Sequence, residues 1–192
     1  MDEQEQGLRA RLVSVGVELV HQEGAQALTL REIARRAGVS HGAPRRYFPT
    51  HLELLSAIAR EGFGELGAEV EEAVRDDTGS PRDRIAALAG VYVRFALSRR
   101  GMYELMFRHD LLESNGLGLR GTSLPLFEGL VALVRAARPD ARAPEVAGAL
   151  WANLHGIAQL WGWGSLQLAT GAGDVDPLVR AALDAHLGPE PR

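Results

Sequence analysis

Apolar positions recur along this chain at spacings of three and four. Leu8, Leu12, Val15 and Leu19 stand at i, i+4, i+7 and i+11, which predicts a first helix over about residues 5–23, stopped by Gly24. Runs of β-branched residues alternating with period two, the mark of a half-buried strand, are absent, so the chain reads as all-α. Thr29 precedes "LREIARRAG" as the N-cap of a short second helix, with Glu32 placed to complete a capping box and Gly38 to end it. Ser40 is placed to cap a third short helix, and Pro49-Thr50 opens a fourth that runs from His51 into "EEAV". Further helices are expected at roughly 82–99, 101–113, 122–137, 144–169 and 174–187, about nine in all.

The segment "RDDTGSPRD", residues 75–83, combines charge, Gly, Ser and Pro between two helical patterns and marks the clearest boundary. The division expected is a helix-turn-helix domain over 1–50, a connecting helix over 51–74 and a helical bundle over 75–192. A chain of 192 residues can bury a normal core without disulfide or metal support, and the absence of cysteine excludes disulfides, thiolate metal sites and thiol catalysis. The opening "MDEQEQGLRARL" is acidic and polar where a secretory signal needs a basic and then an apolar stretch, and no run reaches the roughly 18 apolar residues of a membrane span. A cytoplasmic location without membrane contact is expected.

Charge changes the picture. The net charge of −4 argues against a protein that coats nucleic acid over its whole surface. Between Thr29 and Arg60, however, six arginines (31, 35, 36, 45, 46 and 60) face two acids, Glu32 and Glu53. One end of an acidic protein is cationic. All the basic residues are arginine and none is lysine, which a GC-rich coding genome explains without invoking function.

Two short helices joined by "AGVS" match the helix-turn-helix unit, whose second helix enters the major groove while the first lies across the phosphate backbone. Gly38 permits a left-handed turn residue, Val39 pins the turn to the core, Gly42 and Ala43 let the backbone come close to DNA, and Pro44 sits in the first helical turn where a missing N–H costs least. "TLREIARRAGVSHGAPRRYFPTHLELLSAI" resembles the DNA-binding end of the tetracycline-repressor (TetR) family of bacterial transcription regulators. That family pairs this module with an all-helical C-terminal domain that dimerises and usually binds a small effector. The resemblance, which covers about residues 8–60, implies phosphate contacts from Thr29, Arg31 and Tyr47, and base-edge contacts from His41, Gly42, Ala43, Arg45 and Arg46, with Ser40 at the helix start. Two positions depart from the family pattern: Arg45 stands where an aromatic is common, and His51 where a lysine is common. Arg45 reads a guanine or holds a phosphate; His51 as a phosphate donor is weakened by an imidazole's neutrality at ordinary pH. Arg35 and Arg36 are read as solvated helix surface, with DNA contact as the alternative.

Further on, "LWANLHGIAQL" is similar to the Trp-His-Gly pattern of one C-terminal subgroup of the same family. At 100° per residue Trp151, Leu154, His155 and Ala158 share one face, read as inward. Ala149, Asn153, Gly156, Leu160 and Gly164 lie roughly opposite; this small-residue face is assigned to a dimer, together with Val175, Leu178, Val179, Ala182 and Leu183. Phe95, Met102, Tyr103, Met106, Phe107 and Phe127, with Trp151, Leu154 and His155, suit an adaptable apolar pocket for an organic ligand. The alternatives are an ordinary filled core and, for His155, a hydrogen-bonded core imidazole.

No cofactor is called for. "GLGLRG", residues 116–121, satisfies G-x-G-x-x-G with Asp140 about 20 residues on, but a helix is expected before it where the dinucleotide fingerprint needs a strand. "HGIAQLWGWGS" holds no nucleophile elbow, no His-Glu pair has metal-protease spacing, and His109-Asp110 point about 100° apart on a helix with only distant serines. The chain reads as a non-enzyme: a homodimeric regulator whose partners are a pseudo-palindromic double-stranded operator and a small organic effector. A regulator without effector and a helical ligand carrier are the alternatives.

Overall fold

A computed structural model describes residues 3–75, 79–114 and 118–189. Every regular element among them is helical: α1 (Glu3–Glu23), a 3₁₀ turn (Ala25–Ala27), α2 (Leu30–Arg36), α3 (Ala43–Tyr47), α4 (His51–Val74), α5 (Pro81–Ser98), α6 (Arg100–Met106), α7 (His109–Ser114), α8 (Arg120–Ala137), α9 (Ala143–Gly162), α10 (Ser165–Thr170) and α11 (Asp176–Leu187). The all-α expectation holds, with two helices broken that were read as single. The one over 101–113 is interrupted after Met106, where Arg108 leaves the helix and binds Asp110 in the first turn of α7 at 3.0 and 2.6 Å. The one over 144–169 ends at Gly162 and restarts at Ser165, because Gly164 adopts φ 78°, a left-handed conformation that costs other residues about 1–2 kcal/mol.

The chain forms two compact units: Met1–Glu65 with Arg99–Ser123, and Leu66–Ser98 with Leu124–Arg192. In the first unit α1 packs on α2, α3 and α6. Its core joins Leu12 and Leu19 of α1, Ile33 of α2, Phe48 and Leu54, Leu55 and Ile58 of α4 to Met102, Leu105 and Met106 of α6. The α6 helix approaches α1 through Gly101, whose missing Cβ would lie 2.6 Å from the Val20 carbonyl oxygen and 2.9 Å from the Gly24 Cα. In the second unit α5 is apolar on most sides, burying Ile85, Leu88, Tyr92 and Phe95 against α9 and α11. Ser80 and Asp83 close a reciprocal box at its start, Ser80 N–H and Oγ–H donating to Oδ2 at 2.9 and 2.8 Å and Asp83 N–H returning to Oγ at 3.2 Å.

Two expectations fall partly outside the described residues: the boundary "RDDTGSPRD", through residues 76–78, and the glycine pattern "GLGLRG", through 116 and 117. What precedes the latter is α7, a helix.

Candidate nucleic-acid interface

The turn between α2 and α3 is built as a backbone lock. Ala37 closes α2, Gly38 takes φ 65°, its N–H reaches the Arg35 carbonyl at 3.2 Å, and the Val39 N–H reaches the Ala34 carbonyl at 3.0 Å. This is the six-to-one and five-to-two pairing of a left-handed helix stop, which leaves few orphan carbonyls and fixes the exit direction. Thr29 caps α2 as expected, its Oγ1 accepting from the Glu32 N–H at 3.1 Å. The reciprocal half of that capping box is missing. The Glu32 carboxylate instead accepts from Arg35 Nε and Nη2 at 2.9 and 2.6 Å and from Arg36 Nε at 2.7 Å, and the Thr29 N–H goes to the Ala27 carbonyl. Hydrogen bonds from Arg35 first, and then from Arg36, hold the Glu32 carboxyl down at about 2. Arg36 continues outward to Gln22 and Glu23, tying α2 to α1. Arg35 lies on the exposed helix surface as expected, paired to Glu32 one turn away, while the half-buried Arg36 is held between Glu32 and Glu23.

α3 starts later than Ser40. Its first residue is Ala43, Gly42 occupies the cap position without a side-chain bond, and the Ser40 backbone carbonyl, not its hydroxyl, accepts the Ala43 N–H at 3.0 Å. Pro44 and Phe48, one turn apart, are buried and turn this side of the short helix inward. The rest is open: Ser40, His41, Gly42, Arg45 and Arg46 are exposed, Ala43 and Tyr47 half-buried, and Thr29 and Arg31 exposed at the start of α2. Among the described residues no acceptor engages Arg31, Arg45 or Arg46. In this segment the two arginines at the end of α2 are paired with carboxylates and the α3 arginines are bare.

His51 is placed differently from the expectation. Its Nε2 lies 2.6 Å from the Leu28 carbonyl oxygen, an acceptor only, so Nε2 carries the proton. That nitrogen is therefore engaged within the protein rather than turned to a phosphate. His51 stitches the start of α4 to the segment before α2. Thr50 caps α4, with its Oγ1 accepting from the Glu53 N–H at 3.2 Å.

The aromatic and methionine residues expected in one pocket are divided between the units. Met102, Tyr103 and Met106 are fully buried in the first, where both sulfurs lie in the space left by Gly62 and Phe107 stacks on Phe63 and Tyr103 at 5.5 and 4.9 Å. Phe95 and Leu154 are buried in the second. There a cluster forms around a residue not singled out from sequence, Tyr92. Its hydroxyl accepts from Trp151 Nε1 at 3.1 Å and lies 2.9 Å from His155 Nδ1, while Trp151 packs on Phe127 and His155 at 6.0 and 6.2 Å. A buried tyrosine hydroxyl needs such partners, the signal that could have found it. Trp151 is 39% exposed, so the inward face of α9 is Ala147, Leu150, Leu154 and Ala158 instead.

Burial pushes the His155 imidazole below its ordinary value. The unfolded chain then binds this proton more readily than the folded one, so stability is complete above about pH 6.5 and declines as pH falls below it. Urea denaturation of wild type and His155→Gln at neutral and mildly acid pH is expected to show a shallower decline in the variant; parallel curves would remove the assignment.

Of the residues assigned to a dimer, Ala149, Asn153 and Leu160 are exposed and Gly156 half-buried on α9. Gly164 adopts a left-handed backbone, which by itself accounts for a glycine at this position. On α11, Val179, Ala182 and Leu183 are buried within their own unit, and Val175 and Leu178 are half-buried. Trp163, which closes α9, and Leu168 on α10 are large apolar residues 61% and 89% exposed.

The first unit thus defines a class, a helix-turn-helix protein with a short, basic, open second helix. Residues 12–58 match the family described as bacterial regulatory proteins, tetR family, and residues 85–186 match the tetracyclin repressor-like C-terminal domain, so the chain belongs to the TetR family. The HTH-type transcriptional regulator BetI of Rhizobium meliloti (strain 1021) is 35% identical over 86 residues, 45% of this chain and 42% of BetI. BetI of Brucella anthropi is 34% identical over 83 residues, 43% and 42% of the two chains. The chain spans about two fifths of the length of these relatives. Among solved structures, a protein of unknown function from Rhodococcus sp. RHA1 is similar at TM-score 0.80 and 33% identity, covering 94% of this chain and 93% of that one. The multidrug binding protein EbrR, solved with imidazole, is similar at TM-score 0.59 and 27% identity, covering 96% of each.

Proposed function

We propose that this chain is a cytoplasmic, sequence-specific DNA-binding regulator that works as a homodimer, represses from a pseudo-palindromic operator and is released by a small, largely apolar organic effector. The observation that carries the reading is the contrast within one motif: Arg35 and Arg36 are paired to Glu32 and Glu23, whereas Arg31, Arg45 and Arg46 are exposed with no acceptor. Leaving three cations bare is what a surface does that will meet phosphates and base edges. Arg45 and Arg46 on α3 are the base-reading residues, Ser40, His41, Gly42 and Ala43 frame the approach, and Thr29, Arg31 and Tyr47 hold the backbone. His51 contributes by fixing α4.

The effector reading rests on the Tyr92, Trp151, His155 and Phe127 cluster, a set of ring faces with hydrogen-bonding edges. EbrR, described as a multidrug binding protein, supports an organic ligand. An effector that prefers a conformation with altered spacing of the two α3 helices weakens operator binding by its coupling energy, about 1–3 kcal/mol in typical cases.

For the dimer, the exposed apolar residues Leu160, Trp163 and Leu168 support a surface that a second copy would cover. Trp163→Glu is expected to shift the protein from dimer to monomer in sedimentation and to lose most of its affinity for a duplex from the gene's own upstream region. A variant that stays dimeric moves the interface elsewhere. Wild type that binds this duplex no better than unrelated DNA overturns the regulator reading itself.

A further inference from the structure

We infer that Arg9, on α1 and outside the helix-turn-helix, is an additional phosphate clamp of the DNA-facing surface, pre-oriented by the ring of Phe48. The inference rests on the DNA-binding reading above and adds a residue and a role to it.

Arg9 lies within the first turns of α1, three and four residues before the buried Leu12 and Val13, so its side chain leaves from the edge of the core-facing stripe. Its guanidinium carbon stands 5.0 Å from the centroid of the Phe48 ring. Phe48 is the residue that ends α3, immediately after Tyr47, and is itself fully buried. A cation is thus parked at the C-terminal end of the recognition helix, where the helix dipole is negative.

Three arguments make this a contact rather than only a packing device. A guanidinium held over a ring face has its charge attracted there while its five N–H donors remain available to other acceptors, and a phosphate is such an acceptor. Next, Arg9 is half-exposed, and among residues 7–75 no carboxylate pairs with it, in contrast to Arg35 and Arg36. Distance supplies the third. The five residues of α3 span about 7.5 Å at about 1.5 Å per residue, whereas the major groove is about 12 Å wide. A helix that short, entering by its N-terminal residues, brings its far end to a groove wall made of phosphates, and a guanidinium on Phe48 is within one side-chain length of that end. Arg9 therefore complements Tyr47 on the wall while Arg45 and Arg46 work in the groove.

The test is a salt titration of the full chain on a duplex of arbitrary sequence, because a phosphate contact is indifferent to sequence. Each lost contact lowers the slope of log affinity against log salt by about 0.9, so Arg9→Met is expected to lower it by about 1.8 in a dimer engaging both half-sites. Arg9→Lys, which keeps the charge, is expected to hold the slope near wild type. An Arg9→Met variant with the wild-type slope overturns the inference, whether or not its affinity drops, since a purely structural loss through Phe48 weakens binding equally at all salt concentrations. So does Arg9→Lys falling with Arg9→Met, which would assign the effect to stacking. If Arg9→Met melts early, Arg9→Gln replaces it, read by the same slope. Wild type that binds no duplex even at low salt removes the DNA-binding reading first, and this inference with it.

Discussion

Gly101→Ala is expected to be the most damaging glycine-to-alanine change in the first unit, costing a net of about 2–3 kcal/mol. The reason is the identity of the atoms its methyl group meets: the Val20 carbonyl oxygen at 2.6 Å and the Gly24 Cα at 2.9 Å are both backbone, at the end of α1, and neither can rotate away. The Val20 carbonyl is moreover the acceptor for the Gly24 N–H that stops α1, so pushing it aside also disturbs the helix end. At about 2–4 °C per kcal/mol for a chain of this size, the melting midpoint falls by roughly 5–10 °C. Two controls give the result its meaning. Gly62→Ala would meet only the flexible thioethers of Met102 and Met106, which can re-pack, so it is expected to cost less. Gly129→Ala, on the exposed side of α8 with open space around it, is expected to be neutral or to stabilise by up to about 1 kcal/mol through helix propensity. Thermal melts of the three variants check this; Gly101→Ala melting with Gly129→Ala would mean that α6 does not pack on α1 as described.

Arg46→Ala is expected to leave melting unchanged and to weaken operator binding by tens to thousands of fold. Its side chain is exposed and without an acceptor among the described residues, so folding loses nothing. A bidentate arginine–guanine contact discriminates by about 1–3 kcal/mol, and a dimer loses two of them. Arg35→Ala is the matched control. It removes an arginine from the same motif, but one whose charge is already spent on Glu32, so DNA affinity is expected to change little. Fluorescence anisotropy at one fixed salt concentration reads both. Equal losses in the two variants would show that bulk charge, not placement on α3, sets the affinity.

Most of what could be read from residues alone depends on neighbours in sequence, the cap expected from Ser40 being the local exception because α3 starts at Ala43 behind Gly42. The Thr29 cap, the Gly38 turn, the Pro44 first turn and the start of α4 at Thr50 are local chemistry, and each stands where the pattern put it. Partners distant in sequence were not legible. Glu23 on α1 binds Arg36 of α2, 13 residues away, a link that no local pattern announces. His51 finds a carbonyl 23 residues away. Periodicity placed Trp151 with Leu154 on one face of α9, yet a face has edges; Trp151 sits at one, and only the three-dimensional placement of Tyr92 shows what its indole N–H does. Glycine was ambiguous for the same reason. Gly164 suits close helix contact and a left-handed break equally well in a string of letters, and the backbone angle shows that the break is there. The methionines and aromatics looked like one group because composition carries no address, and the fold sends Met102 and Met106 to one unit and Phe127 and Trp151 to the other.

The most direct measurement is a hydroxyl-radical footprint of the wild-type protein on the region upstream of its own gene. The account predicts two protected patches on one face of the duplex, related by pseudo-twofold symmetry and centred one helical turn, about 34–36 Å, or a whole multiple apart, with two chains bound. A uniform pattern no stronger than on unrelated DNA, or a single patch occupied by one chain, would contradict it.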